Sequence, residues 1–339
     1  MDVKLIMEES GEWNISDIMK SDSSSIISEA DTLNTAAESK WKFPFNIKIN
    51  NLSLDQVNLK IKNYVYRNSN NKYDSMNFND IIVKDLNLQA EVFANINALE
   101  FELYIDSLFF KPNLNKFKLN NLSGNFQLSE KFAEVTDLSI ITNSSNLDLS
   151  ARLDSLNLFG EVDLYKFKDY PLTLSAKADP FTSTDLSSFL DAVDFMNGPI
   201  IFSLDAQGSF GKFKHQIEIK IDDTHITEIG SLKNLHNPKK LFIEAVFSNS
   251  TVAYHEIDSF LNGLELPSYP DLLVEDLNIM YEGEPLKFNA YGDGKIDDGE
   301  ITFNSFMNMY PDLIEYDYQF TTNNINLNTT IGLNSNLNS

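Results

Sequence analysis

The sequence predicts a mostly β protein in which antiparallel strands follow one another along the chain and share one apolar face. Three observations carry that expectation. Apolar and polar residues alternate over many short runs, the period of a half-buried strand. The chain holds 25 Phe and 13 Tyr, large side chains that suit a pleated surface. Short clusters of Asn, Asp, Ser and Gly separate the runs, which is the spacing of a meander and not of βαβ units.

Residues 138–153, LSIITNSSNLDLSARL, show the plan most plainly. Leu138, Ile140 and Thr142 share one parity, and Leu147, Leu149, Ala151 and Leu153 share another. Between them Asn143, Ser144, Ser145 and Asn146 are turn formers. This is a β-hairpin with one apolar and one polar face.

Taken in order, residues 1–40 stand apart as a short helical start over 12–19 followed by a polar, Ser-rich linker over 21–39. Strand patterns then begin. They include Phe43, Phe45, Ile47 and Ile49; Val57, Leu59 and Ile61; and Leu99, Phe101, Leu103 and Ile105. Phe126 and Leu128, then Leu156 and Leu158, continue them. Beyond lie Ile200, Phe202, Leu204 and Ala206; Ile217, Ile219 and Ile221; and Leu241, Ile243, Ala245 and Phe247. Leu286, Phe288 and Ala290, and Tyr316, Tyr318 and Phe320, close the series, for about 18 strands in all.

Two amphipathic helices interrupt them. Thr184 caps the first, where Leu186, Phe189, Leu190 and Val193 fall on one face and Asn197-Gly198-Pro199 is the stop. The second covers about residues 252–262, with Ile257, Phe260 and Leu261 on one side. The helices divide the β region into 41–197 and 198–339. A loose motif recurs at Asn51-Leu52-Ser53-Leu54, Asp85-Leu86-Asn87-Leu88, Asn121-Leu122-Ser123-Gly124, Asp137-Leu138-Ser139-Ile140 and Asp276-Leu277-Asn278-Ile279, read here as strand starts.

A net charge of −24 excludes nucleic acid as a main partner and argues against docking on anionic headgroups. Any lipid contact is therefore expected with acyl chains. There is no Cys, so no disulfide or thiolate site exists. The opening MDVKLIMEESGEW lacks the form of a signal peptide, and no apolar run approaches the roughly 20 residues of a membrane-spanning helix. The last residues still alternate, so the chain is expected to be a piece of a longer sheet.

No catalytic constellation, cofactor or metal site is expected. Residues 289–300 align loosely with a calcium loop, but Tyr291 occupies a ligand position and the flanks alternate like strands, so a β-turn between Gly292 and Gly299 is the better reading. His215 and His225 share parity with Ile217, Ile219 and Ile221, and are read as strand-end His on a mixed surface. Glu100 and Glu102 belong to a solvated strand face.

Several stretches, in their order along the chain, resemble the amino-terminal part of TamB-type envelope proteins within the wider AsmA-like group. They are EWNISDI at 12–18 with its linker and Phe43-Pro44-Phe45-Asn46-Ile47; the Leu52/Leu54 and Val57/Leu59/Ile61 strand pair ending in Tyr64-Val65-Tyr66-Arg67; and the 138–153 hairpin with Thr142 and Ser145. Asn197-Gly198-Pro199 with LDAQGSFGKFKHQIEIKI follows, then Met280-Tyr281-Glu282-Gly283 through Asp297-Asp298-Gly299-Glu300. The likeness implies an elongated, twisted antiparallel β-groove, a taco- or solenoid-like sheet with an apolar interior. It implies a periplasmic place in a bacterial envelope, an inner-membrane anchor helix, an outer-membrane assembly partner, and phospholipid or protein traffic to the outer membrane. This sequence shows neither the anchor nor the family's carboxy-terminal region.

Alternation alone leaves two readings open: a closed core, as in an adhesive cell-surface β-solenoid, or an open groove that holds acyl chains. The resemblance favours the groove. Its expected lining is Phe45, Ile47, Leu59, Leu103, Leu149, Phe202, Ile219 and Phe288. A carbohydrate-active β-helix would need an acidic and aromatic cluster that the sequence does not offer.

Overall fold

The structure, a computed structural model, describes residues 2–7, 46–63, 77, 79–114, 117–156, 167–187, 189, 196–261, 272–310 and 314–325. The helical start, the linker and Phe45 lie outside the described residues. Among the described residues sixteen strands form one open sheet in which spatial order follows sequence order. They are β1 (Asp2–Met7), β2 (Asn46–Asn63), β3 (Asp80–Asn95), β4 (Glu100–Pro112), β5 (Leu119–Leu128), β6 (Phe132–Thr142), β7 (Asn146–Asp154) and β8 (Leu172–Thr182). After these come β9 (Pro199–Ser209), β10 (Lys212–Ile221), β11 (Thr224–Lys233), β12 (Phe242–Ala253), β13 (Leu273–Glu284), β14 (Lys287–Ile296), β15 (Gly299–Asn308) and β16 (Glu315–Asn323). Two helices are described, α1 (Ser183–Ser187) and α2 (Tyr254–Phe260).

From β2 to β16 every neighbouring pair is antiparallel. The chain is thus the twisted antiparallel groove the sequence suggested. Strands pack substantially only on their immediate neighbours, with α2 touching β12, so no second layer closes a core among the described residues. β8 and β9 pair directly, so the sheet is unbroken at residue 197. One edge departs from expectation: β1 pairs parallel to β2, in a region read as lacking strands.

Among the described residues, bulges fuse runs that alternation separates. β2 is 18 residues long and joins Ile47/Ile49, Leu52/Leu54 and Val57/Leu59/Ile61 into one strand. All five copies of the recurring motif lie at register shifts within strands, not at their starts. Asp85, Asp137 and Asp276 take positive φ of 53°, 52° and 47°, as do Gln56 at 49° and Asn249 at 47°. Asp and Asn tolerate this left-handed region better than most residues, which explains the Asp that opens these three copies of the motif.

In the two copies that carry Asn third, that residue then repairs the ladder. The Asn87 Nδ2 donates to the Asp85 carbonyl at 2.8 Å, while its Oδ1 accepts the Gln56 N–H of the adjacent strand at 3.1 Å. Asn278 repeats both bonds, to the Asp276 carbonyl at 2.9 Å and from the Asn249 N–H at 3.1 Å. One side chain thus satisfies two backbone groups that each bulge strips from the sheet.

At one rim, each helix places a buried carboxylate over a neighbouring hairpin turn. Asp185 of α1 accepts from Thr142 Oγ1 at 2.5 Å and from Ser144 Oγ at 2.8 Å, holding the β6–β7 turn. Glu256 of α2 accepts the Asp223 N–H at 2.9 Å and the Thr224 N–H at 2.8 Å, holding the β10–β11 turn. Burial works to raise the Glu256 pKa, but the hydrogen bonds from Thr224 and Asp223 outweigh it and hold the carboxyl below its ordinary value. The Asn197 N–H donates to the Phe260 carbonyl at 2.7 Å, tying the segment after α1 to the end of α2. Leu190 and Val193, expected on the first helix, lie outside the described residues.

Replacing Asn278 by Ala is expected to cost about 1–2 kcal/mol of stability, because two backbone partners are lost at once. Urea unfolding of the variant against the parent chain measures this, and an unchanged midpoint would contradict it.

Candidate functional site

Directly opposed residues of an antiparallel pair point to the same side of a sheet. One row of such partners can be followed across fifteen strands. It runs Ile47, Ala94, Phe101, Leu128, Ala133, Leu153, Leu172, Gly208, Phe213, Leu232, Ile243, Gly283, Phe288, Met307 and Tyr316. Every member is apolar, aromatic or Gly. The next row runs Lys48, Phe93, Glu102, Gln127, Glu134, Arg152, Thr173, Gln207, Lys214, Ser231, Glu244, Glu282, Asn289, Phe306 and Asp317, and is mostly charged or polar.

The apolar row lies on the face that carries the predicted lining. Ile47 and Phe288 are in it; Leu103 joins through Val92 and Phe126, and Leu149 through Leu138 and Ala176. Phe202 and Ile219 oppose each other, and Leu59 opposes Val83. Seven of the eight predicted residues therefore share one face, and Phe45 lies outside the described residues.

No described layer covers this face, and its members shield one another along the middle: Ile47 and Phe320 at the two ends are 40% and 61% exposed, while Ile105, Leu138 and Phe213 between them are each 8% exposed. Toward its first half the face holds a hollow of about 470 Å³ lined by Phe101, Leu103, Phe126, Leu128, Leu153 and Leu172. Aromatic pairs stiffen it elsewhere: Phe181 meets Phe202 edge-on with centroids 5.7 Å apart, and Tyr281 stacks on Phe288 at 4.8 Å. The opposite face carries mixed charge, for example Arg152 held by Glu134 at 3.1 Å and Asp154 at 2.9 Å over the Phe132 ring.

Besides hydroxyl residues such as Ser250 and Ser305, one acid–base pair interrupts the face. His215 opposes Gly230, and Glu228 opposes Ile217, so both side chains project from the apolar side. Each side chain is 7% exposed. His215 Nε2 lies 3.1 Å from Glu228 Oε1 and 2.9 Å from Oε2, while His215 Nδ1 is buried without a hydrogen-bond partner. Gly230 makes the room, since a Cβ there would collide with Glu228 Oε1 and the Glu244 carbonyl. Burial pushes the Glu228 carboxyl up to about 7 and holds His215 below its ordinary value.

This corrects the reading of the His residues. His215 sits mid-strand and buried, not at a strand end on a mixed surface. His225 opposes Lys220 across the ladder and faces the polar side, because the tight turn at Asp222 and Asp223 reverses parity between β10 and β11. Residues 289–300 form the β14–β15 hairpin, its two-residue turn at Asp297 and Asp298, and Asn289 and Asp293 lie apart along one strand. Glu100 and Glu102 are solvent-exposed. No group of three His, Asp or Glu side chains converges as a metal site among the described residues.

Glu228, Asp185 and Glu256 were missed in the sequence. For Glu228 a signal existed: an acid on the apolar parity of Thr224, Ile226, Gly230 and Leu232. Asp185 and Glu256 act across hairpins 41 and 33 residues away, beyond the reach of any local pattern. No family model matches this sequence, and comparison with curated proteins and with solved structures finds no match.

Glu228 gives stability a pH dependence of defined sign. Its folded pKa is raised, so its contribution is fully present below 4.5 and is lost as pH rises toward about 7. His215 acts in the opposite sense, withdrawing stability as pH falls below 6.5. Glu228→Gln is expected to abolish a loss of about 1–3 kcal/mol on the rising limb. Denaturant unfolding across that range reads it, and parallel pH curves for variant and parent would contradict it.

Proposed function

We propose that this chain is a non-enzymatic, TamB- or AsmA-like segment of a bacterial envelope protein, which carries phospholipid by its acyl chains along the apolar face. The observation that supports this reading is one continuous row of apolar partners over fifteen strands that no described layer covers, backed by a mostly polar row on the other side. An isolated exposed apolar residue needs no explanation, but a continuous apolar strip of this length marks a surface made to be occupied.

The chemistry is sliding contact without covalent steps. An acyl chain of roughly 16 carbons gains on the order of 10 kcal/mol when buried, at about 0.8 kcal/mol per methylene. Phe, Leu and Ile supply that contact with no headgroup recognition, consistent with a net charge of −24. In this reading the chain works in the periplasm. An anchor helix ties the full-length protein to the inner membrane, and an outer-membrane assembly protein is its partner at the far side. No helix of the described residues is long and apolar enough to cross a membrane.

Leu103 and its neighbour Tyr104 separate the two faces cleanly, since Tyr104 is 50% exposed on the polar side. Leu103→Arg is expected to weaken binding of a phospholipid with a fluorescent acyl chain by about tenfold or more, while Tyr104→Arg leaves it within about twofold. Native mass spectrometry of the parent chain should show co-purified phospholipid. Lipid-free protein together with equal binding by both variants would overturn the proposal.

A further inference from the structure

Following the apolar face from β2 to β16, His215 and Glu228 are its only acidic or basic side chains among the described residues. Every element packed around them presents neutral groups to that side. β9 offers Leu204, Ala206 and Gly208; β10 adds Phe213 and Ile217; β11 adds Ile226, Gly230 and Leu232. β12 offers Ile243, Ala245 and Phe247, and β13 the Tyr281 phenol, which burial holds above its ordinary pKa. Lys214, Ser231 and Glu244 point to the other face.

The pair is therefore a closed two-member system. With one proton between the imidazole and the carboxyl it is neutral overall, whichever atom holds that proton. Without it, a carboxylate stands in an apolar surface with a neutral imidazole as its sole side-chain partner. Such a charge is not tolerated dry: it must draw in water or turn the side chain out into the groove. The vacant hydrogen-bonding position at buried His215 Nδ1 shows that the surroundings offer no further polar support.

We propose that His215 and Glu228 form a proton-controlled gate in the apolar face. Singly protonated, the pair leaves the face continuous and an acyl chain passes over it. Deprotonated, it sets a hydrated charge across β10 and β11 and divides the face in two. The raised value of Glu228, about 7, places the change near neutrality. The gate rests on the acyl-carrying role proposed above.

Two measurements test it and keep the two proposals apart. Carbon-detected NMR of the Glu228 carboxyl should show a midpoint near neutrality, and a midpoint in the ordinary carboxylate range would overturn the gate. Binding of a zwitterionic phosphatidylcholine with a pyrene-labelled acyl chain is then compared at about pH 6 and about pH 8. The parent chain should bind about fivefold or more weakly at the higher pH, and Glu228→Gln should bind equally at both. The paired variant His215→Phe with Glu228→Leu, which needs no buried polar partner, should also be pH-independent. Equal binding by the parent at both pH values would overturn the gate and leave lipid carrying intact. No binding at either pH would overturn both.

Discussion

A single constraint governs this molecule: one parity of side chains stays predominantly apolar from the first antiparallel strand to the last. In a sheet a slip of one residue sends every side chain to the wrong face. The long strands here cannot hold simple alternation, and each break in parity is absorbed by a bulge. Ile81 and Val83 are followed by Leu86 and Leu88, and Asp85 in the left-handed region takes up the difference. Val135 passes to Leu138 through Asp137, and Val274 to Leu277 through Asp276, in the same way. The Asn87 and Asn278 side chains then restore the lost backbone bonds, so the correction of register costs little in unsatisfied polar groups.

The rim follows from the same constraint. An open sheet has no second layer to fix its turns, so the turns are held individually. Asp185 and Glu256 reach back from short helices to the hairpins beside them, and Thr142 adds its own hydroxyl to the Ser144 and Ser145 N–H groups at 3.1 and 2.8 Å. The helices are clamps on the sheet's edge. Their buried residues are the carboxylates and Ser183, and Leu186 remains exposed.

Much of this was legible because alternation is a local signal. Leu103, Leu149, Phe202 and Ile219 share a face in the sequence for the same reason they share it in space. Bulges were not legible, because a residue at positive φ looks like any other Asp or Asn between two apolar runs. The motif at Asp85, Asp137 and Asp276 is visible in the sequence but reads as a strand start, since a start and a bulge both place a turn-forming residue before a Leu. The parallel pairing of β1 with β2 was hidden by the long stretch of sequence between them. His215 and Glu228 were hidden by the turn at Asp222 and Asp223. Parity does not carry through a turn, so only the paired register shows that His215 belongs with Glu228 and His225 does not.

Occupancy of the uncovered face by acyl chains is the central proposal. Photoreactive phospholipid, with the reactive group at the end of the acyl chain, tests it most directly when cross-linked residues are mapped by mass spectrometry. The account predicts labels at Leu103, Leu149, Phe202, Ile219 and Phe288, and none at Glu102, Asp148, Ser203, Glu218 and Lys287. Labels spread over both parities, or no labels at all, would contradict it.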